Sequence, residues 1–148
     1  PVTKTYAPRS GANELSMSWD NFPTKKYITD KIWHGIKRYQ VNLKMPWFTK
    51  WQAYSEPRFN KYAENKQMAL HCDHIHSMFD GDKKGVPILS ILGLLNDDFD
   101  GGEFVMFNDY NIEFKKGDLL VFPSNFMYPH KVEPVTKGTR YSYISWVW

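Results

Sequence analysis

Short strand-like runs, separated by turn residues, fill the chain from about residue 57 to its end and limit its fold more than any other feature. Residues 103–107 alternate in polarity, whereas 86–96 form one long apolar run, which is typical of a strand buried on both faces. Many short strands at regular spacing indicate an antiparallel sandwich or jelly roll. The predicted strands are residues 59–63, 67–73, 86–96, 103–107, 112–114, 119–123, 128–135 and 139–148.

One helical segment, residues 24–43, precedes these strands. Thr24 is placed to cap its first turn, Pro46 ends it, and apolar side chains recur at steps of four and three: Ile28, Ile32, Ile36 and Tyr39. We expect the helix to pack on a single mainly β domain, residues 24–148, with a β core at about 57–148. Residues 1–23 show no clear period and predict an extended arm that either packs on the surface or serves as a lid.

The composition narrows the class of function. Aromatic residues make up 17% of the chain, which favours a β-rich fold with a lined cavity. A net charge of +3 argues against a nucleic-acid binder that depends on phosphate contacts. Cys72 is the only cysteine, so no intrachain disulfide can form, and strand parity predicts it to be a small core residue. The longest apolar run, residues 86–95, is strand-sized, and we expect a soluble, cytoplasmic protein without membrane contact.

The predicted strand 67–73 carries a histidine and an aspartate two residues apart. His71 and Asp73 share a face of such a strand, while its other face holds Met68, Leu70 and Cys72. An imidazole and a carboxylate placed in this way can take neighbouring sites on one metal ion. If His130 arrives from a distant strand, the set becomes two histidines and one carboxylate with open positions, as in non-haem Fe(II) oxygenases.

An arginine ten residues after His130 completes the pattern. A hairpin centred on Lys137 would set Ile144 opposite His130, and the shared parity of Ile144, Ser142 and Arg140 would turn all three inward. Arg140 would then lie four residues along the strand from Ile144, the residue opposite His130, which is a separation of roughly 13 Å. A small dicarboxylate fits that separation, with one end on the metal, the other on the guanidinium and a further hydroxyl donor at Ser142.

A rival metal set lies just beyond the first. His74 and His76 with Asp80 resemble the His-x-His and carboxylate pattern of cupins. That set would leave His71 and Asp73 incidental and would give Arg140 no task, so we favour the first set. We expect His74 and His76 to lie near the metal as substrate contacts.

Taken together, the motifs resemble the Fe(II)/2-oxoglutarate-dependent dioxygenases, in particular the prolyl-4-hydroxylase-like branch with its short bacterial and phage members. The likeness covers residues 62–148 and includes His71-x-Asp73, Gly101-Gly102-Glu103, residues 117–123, Pro129-His130 and Gly138-Thr139-Arg140-Tyr141. It implies a double-stranded β-helix, with iron held by His71, Asp73 and His130. It also implies that Arg140 and Tyr62 bind the distal carboxylate of 2-oxoglutarate and that Trp146 lines the substrate pocket.

The resemblance implies hydroxylation of a C–H bond, coupled to decarboxylation of 2-oxoglutarate by Fe(II) and O2, with ascorbate as a candidate reductant. It favours a prolyl residue of a peptide or protein as substrate, while a free amino acid or another peptidyl side chain stays open. A halogenase is disfavoured because Asp73 takes the place of the halide, and a nucleic-acid demethylase because nothing basic follows Arg140. The alternative from a different class is a non-catalytic, cupin-like binding module.

Overall fold

The computed structural model describes residues 7–8, 11–44, 51, 53–73, 79–80 and 84–148. These residues form one helix and a series of short strands, and every pairing between the strands is antiparallel. The elements are β1 (Ala7–Pro8), β2 (Ser16–Ser18), α1 (Lys25–Leu43), β3 (Arg58–Tyr62), β4 (Met68–His71), β5 (Phe79–Asp80), β6 (Lys84–Gly85), β7 (Leu89–Leu94), β8 (Phe99–Gly101), β9 (Phe104–Met106), β10 (Tyr110–Ile112), β11 (Leu119–Pro123), β12 (His130–Val132), β13 (Val135–Gly138) and β14 (Arg140–Val147).

Two sheets enclose the main core. The large sheet has the strand order β1-β2-β3-β14-β7-β11, and the small sheet has the order β10-β9-β12-β4. One buried cluster draws on both sheets, so they pack face to face; it includes Tyr62, Leu92, Phe122 and Ile144 from the large sheet and Met68, Phe104, Met106 and Val132 from the small one. Burial of each such side chain contributes about 1.5–3 kcal/mol, which makes this cluster the main support of the sandwich.

Helix α1 covers the outer face of the large sheet. Ile28, Ile32 and Ile36 form its buried stripe, and they pack on sheet residues that include Phe59, Ile91 and Tyr143. Thr24 stands at the N-cap position, as expected, and its carbonyl accepts the Ile28 N–H at 3.1 Å, but its side chain makes no capping hydrogen bond. The helix ends before Lys44, which is left-handed at φ 48°, while Pro46 lies outside the described residues. No helix in the described ranges has both the length and the apolar character to cross a membrane.

The part of the N-terminal arm that is described joins the large sheet. Strand β2 pairs with β3, aligning Met17 with Asn60, and Leu15 is fully buried in the main core. The backbone N–H of Leu15 also donates to the Gln67 carbonyl at 3.0 Å. These contacts make residues 15–18 part of the large sheet, between β1 at its edge and β3.

The expected hairpin between residues 128–135 and 139–148 is wrong. Strand β12 belongs to the small sheet, where His130 pairs with His71 and Met106, whereas β14 belongs to the large sheet. The chain leaves β12 at Pro134, which has no N–H for a ladder, and β13 then pairs with β8 instead. The chain thus crosses from one sheet to the other at this point.

Strand β4 contains an irregularity that the alternation rule did not predict. His71 pairs with His130 while Met68 pairs with Val132, so three steps along β4 face two steps along β12. Such a bulge changes the parity of a strand. Met68 is therefore buried in the core on the same side as His71, and Leu70 is 55% exposed, which corrects the expectation that Met68 and His71 lie on opposite faces.

Candidate metal centre

Three ligand-type side chains converge where β4 and β12 lie side by side. His71 ends β4, Asp73 follows it by two residues, and His130 begins β12. Asp73 Oδ1 lies 3.6 Å from His71 Nε2 and 4.0 Å from His130 Nε2. One ligand atom from each residue falls within 4.8 Å of the others, close enough for a shared metal ion. The structure thus brings together the three residues that the sequence singles out.

Backbone carbonyls orient both imidazoles. The Nδ1 atom of His71 lies 2.8 Å from the Ala69 oxygen, and that of His130 lies 3.0 Å from the Tyr128 oxygen. A carbonyl can only accept, so each Nδ1 carries a proton, and Nε2 is the ring atom that is left to face Asp73 and a metal ion. This arrangement of metal-binding histidines fixes both the tautomer and the ring orientation.

Asp73 is held by groups from the large sheet. Its Oδ2 accepts hydrogen bonds from Ser90 Oγ at 2.5 Å and from Trp146 Nε1 at 3.1 Å. Burial of this carboxyl acts to raise its pKa, but the His71 hydrogen bond, the His130 charge and the two donors outweigh burial and hold the pKa of Asp73 well below its usual range. Asp73 is therefore ionised at neutral pH, as a cation ligand must be.

Sequence reasoning missed Ser90, although a signal for it exists. Ser90 interrupts the continuous apolar run that forms β7, and it is fully buried. Because buried hydroxyls are nearly always hydrogen-bonded, a serine in such a strand indicates a polar partner inside the core. That partner is Asp73.

Arg140 occupies the interior of the sandwich at a second position. It pairs with Tyr62 across β14 and β3, and only 1% of it is exposed. Its Nη1 donates to Ser142 Oγ at 3.1 Å, and its guanidinium lies 5.0 Å from the centre of the Tyr62 ring. Its Nε has no hydrogen-bond partner, and no carboxylate among the described residues pairs with it.

Burial dominates the electrostatics of Arg140. Desolvation lowers the pKa of its guanidinium, while Tyr62 acts in the opposite direction. An arginine nevertheless remains charged in proteins. The described part of the structure therefore holds a buried cation that no carboxylate pairs with. Such an arrangement favours the binding of an anionic ligand.

A cavity of about 210 Å³ adjoins Arg140. Gly102, in the left-handed region at φ 67°, borders it, and a Cβ there would lie 3.0 Å from Arg140 Cδ, so glycine makes room for the arginine stem. Phe104 lines the same cavity and packs with its ring centre 5.4 Å from that of His130. This phenylalanine therefore links the arginine region to the metal ligands.

The remaining predicted site residues divide into three cases. Tyr62 and Ser142 are fully buried and touch Arg140, and the Tyr62 hydroxyl also lies 3.8 Å from Met68 Sδ. Trp146 is 8% exposed and hydrogen-bonded to Asp73, which places it beside a metal ligand. His74 and His76, and the side chain of Asp80 in the rival set, lie outside the described part of the chain.

Cys72 is not the core residue that strand parity suggested. It is only partly buried, and its Sγ lies 3.4 Å from the Phe126 carbonyl oxygen. β4 ends at His71, so alternation no longer applies one residue later.

Sequence relatives match about three fifths of the chain. A PKHD-type hydroxylase of Xylella fastidiosa (strain M12) is 33% identical in an alignment 101 residues long that covers 62% of this chain and 43% of that protein. A PKHD-type hydroxylase of Cupriavidus pinatubonensis is 34% identical in an alignment 98 residues long that covers 62% of this chain and 42% of that protein. The match thus spans less than half the length of these relatives.

Solved structures resemble nearly the whole chain. A Pseudomonas putida prolyl-4-hydroxylase superposes with a TM-score of 0.68 at 22% identity, over 96% of this chain and 76% of that one. A Trichoplax adhaerens prolyl hydroxylase, solved with a peptide fragment of hypoxia inducible factor, has a TM-score of 0.61 at 16% identity, over 98% and 66%. These likenesses show the fold and confirm the expected mainly β, antiparallel architecture with one helix.

Residues 57–148 match the sequence model of the 2OG-Fe(II) oxygenase superfamily, and this range contains His71, Asp73, His130 and Arg140. The matched range is more than half of the chain. The chain therefore belongs to the 2OG-Fe(II) oxygenase superfamily, with similarity to prolyl-4-hydroxylases.

Proposed function

We propose that this chain is a 2-oxoglutarate-dependent Fe(II) hydroxylase on a double-stranded β-helix. The observation that carries the proposal is the pairing of two features in one interior. Nε2 of His71, Nε2 of His130 and Oδ1 of Asp73 converge at one position, and the buried guanidinium of Arg140 lies across Phe104 from them. A non-catalytic binding module gives neither feature a task.

The donor set fits the ion that the family implies. Two neutral imidazole nitrogens and one ionised carboxylate oxygen are the ligands of non-haem Fe(II) sites that keep open positions. His71, Asp73 and His130 would hold the iron. When bound, iron supplies the activation of O2 and the oxidation of a C–H bond, with 2-oxoglutarate as the electron source.

The chain's own residues orient and shield the reactants. Arg140 would bind the distal carboxylate of 2-oxoglutarate through a bidentate fork, and Ser142 and Tyr62 beside it would align that carboxylate. Phe104 and Phe122, whose rings pack 5.4 and 5.1 Å from that of His130, exclude water from the ligand region. Ascorbate as a reductant stays a prediction from the family resemblance.

A prolyl residue in a peptide or protein is the substrate that we propose. Support comes from structural neighbours that are prolyl hydroxylases, one of them solved with a peptide. A free amino acid is the second candidate, because a buried centre beside a small cavity does not itself require a macromolecule. His74 and His76 stay proposed substrate contacts.

The experiment is a succinate assay on iron-loaded protein with 2-oxoglutarate and O2, with and without proline-containing peptides. We expect slow succinate formation without peptide and faster formation with a substrate peptide that gains one oxygen atom in mass. The His130→Ala variant should form no succinate. Equal rates for the wild type and His130→Ala would contradict the proposed function.

A further inference from the structure

We propose that Ser90 and Trp146 are positioning residues that decide which oxygen of Asp73 faces the metal. Both donate to Oδ2, at 2.5 and 3.1 Å, while Oδ1 faces the two Nε2 atoms. The inference rests on the proposed function, because it concerns the same metal ligands. It assigns Trp146 a task different from lining the substrate pocket.

The two donors form one unit of the large sheet. Ser90 on β7 and Trp146 on β14 are direct cross-strand partners, so their side chains project from the same face. The three ligands come from the small sheet and the turn after β4. The donor pair therefore reaches across the interior and holds a ligand that the opposite sheet presents.

The indole of Trp146 is itself held in place. Its backbone N–H donates to Ser55 Oγ at 3.0 Å, and its carbonyl accepts from the Ser55 N–H at 2.8 Å. The guanidinium of Arg58 lies 5.1 Å from the centre of its ring and donates through Nε to Asn60 Oδ1 at 3.2 Å. Backbone and ring contacts thus limit how far the indole N–H can move from Asp73.

The consequence concerns how many coordination positions of the metal ion the protein occupies. A carboxylate whose Oδ2 already accepts two hydrogen bonds binds an ion through Oδ1 alone. Without these donors the carboxylate can turn and offer both oxygens, which fills a position that a co-substrate needs. Ser90 and Trp146 would therefore keep the site open as well as strengthen it, in the way that hydrogen-bonding partners tune metal ligands.

The test uses Co(II) as the probe and compares Ser90→Ala, Trp146→Phe and the double variant with the wild type. Calorimetry gives Co(II) affinity, and visible absorption of the Co(II)-loaded protein reports coordination number without any turnover. Each single variant should weaken Co(II) binding by roughly 10- to 100-fold and change the absorption bands. The double variant should lose less than the product of the two single effects, because both donors serve one oxygen.

Ser18→Ala is the matched control. Ser18 is also buried in the large sheet, on β2, but its hydroxyl accepts the Asp20 N–H at 3.1 Å and does not reach Asp73. The variant should lower thermal stability without changing Co(II) affinity or absorption.

Two results would overturn the inference, and they differ from failure of the proposed function. If Ser90→Ala and Trp146→Phe change only the melting temperature, as Ser18→Ala should, both residues are structural. If His130→Ala binds Co(II) as tightly as the wild type, the metal assignment fails and the inference fails with it. Ser90→Ala keeps the test decisive should Trp146→Phe not fold.

Discussion

The interior of the sandwich holds two polar regions that are built differently. At the metal ligands, each Nδ1 is bonded to a carbonyl and Asp73 Oδ2 receives two donors, so the protein satisfies these groups by itself. At Arg140, the described neighbours of a full charge are one neutral hydroxyl and the rings of Tyr62 and Phe99, and Nε has no hydrogen-bond partner among the described residues. One region is complete before a ligand arrives, and the other is not.

The contrast indicates what each region binds. Metal ligands that hydrogen bonds already hold in place suit an ion that stays bound, because its binding requires no reorganisation of these side chains. A buried cation without an anion costs folding free energy, and an incoming carboxylate removes that cost. The arginine region therefore suits an anionic ligand that enters and leaves.

The largest expected effect follows from removing a metal ligand. We expect iron binding to weaken by more than about 100-fold in each of His71→Ala, Asp73→Ala and His130→Ala, which exceeds the effect of removing a residue that only hydrogen-bonds a ligand. Each variant should also lose succinate formation. Iron content of purified protein and a succinate assay measure both results. His74→Ala and His76→Ala serve as controls and should retain metal. Loss of iron in His74→Ala with retention in His71→Ala would establish the cupin-like set instead.

The next effect lies at the arginine region and should leave the metal in place. Arg140→Ala should weaken 2-oxoglutarate binding by more than 100-fold, since loss of one partner of a buried charge pair costs about 3–5 kcal/mol. Arg140→Lys should restore only part of it, because lysine lacks the planar fork. Calorimetry on protein loaded with a redox-inert metal measures the affinity. An unchanged affinity in Arg140→Ala would remove Arg140 from the co-substrate site.

The smallest expected effect is a change in stability, and its sign tests the comparison of the two polar regions. In the ligand-free protein, Arg140→Met should raise stability by about 1 kcal/mol, or about 3 °C in melting temperature, because it removes a buried charge without an anion. Adding 2-oxoglutarate to metal-loaded protein should stabilise the wild type and not the variant. Thermal unfolding with and without the ligand measures both shifts. A lower melting temperature for the ligand-free variant would mean that Tyr62 and Ser142 already compensate the charge.

Much of this site could be predicted because its residues obey local rules. Arg140 and Ser142 face inward by the parity of β14 alone, so that conclusion survives although the hairpin used to reach it does not exist. The register failed because residues 136–138 look like a hairpin turn in the sequence, whereas they belong to strand β13, whose partner β8 lies far away in sequence. The sequence of one strand does not identify a partner strand that lies so far away in the chain.

Other features escaped prediction for reasons of chemistry. No residue in β4 indicates the bulge, since Ala69 and Leu70 fit a regular strand as well as a bulged one. The hydrogen bonds of Ser90 and Trp146 to Asp73 need a contact between opposite sheets, although the polarity of Ser90 within an apolar strand indicated that some partner exists. Contacts across the core depend on three-dimensional placement that spacing cannot supply.

The bulge in β4 also determines where this chain can tolerate a change of length. With one residue fewer between Met68 and His71, two steps of β4 would face two steps of β12, and both side chains would still point inward. A deletion at Cys72 would instead change the spacing of His71 and Asp73 and separate the ligands. This chain can therefore lose a residue before the first ligand and keep both side chains inward, whereas the single position between the two ligands has a fixed length.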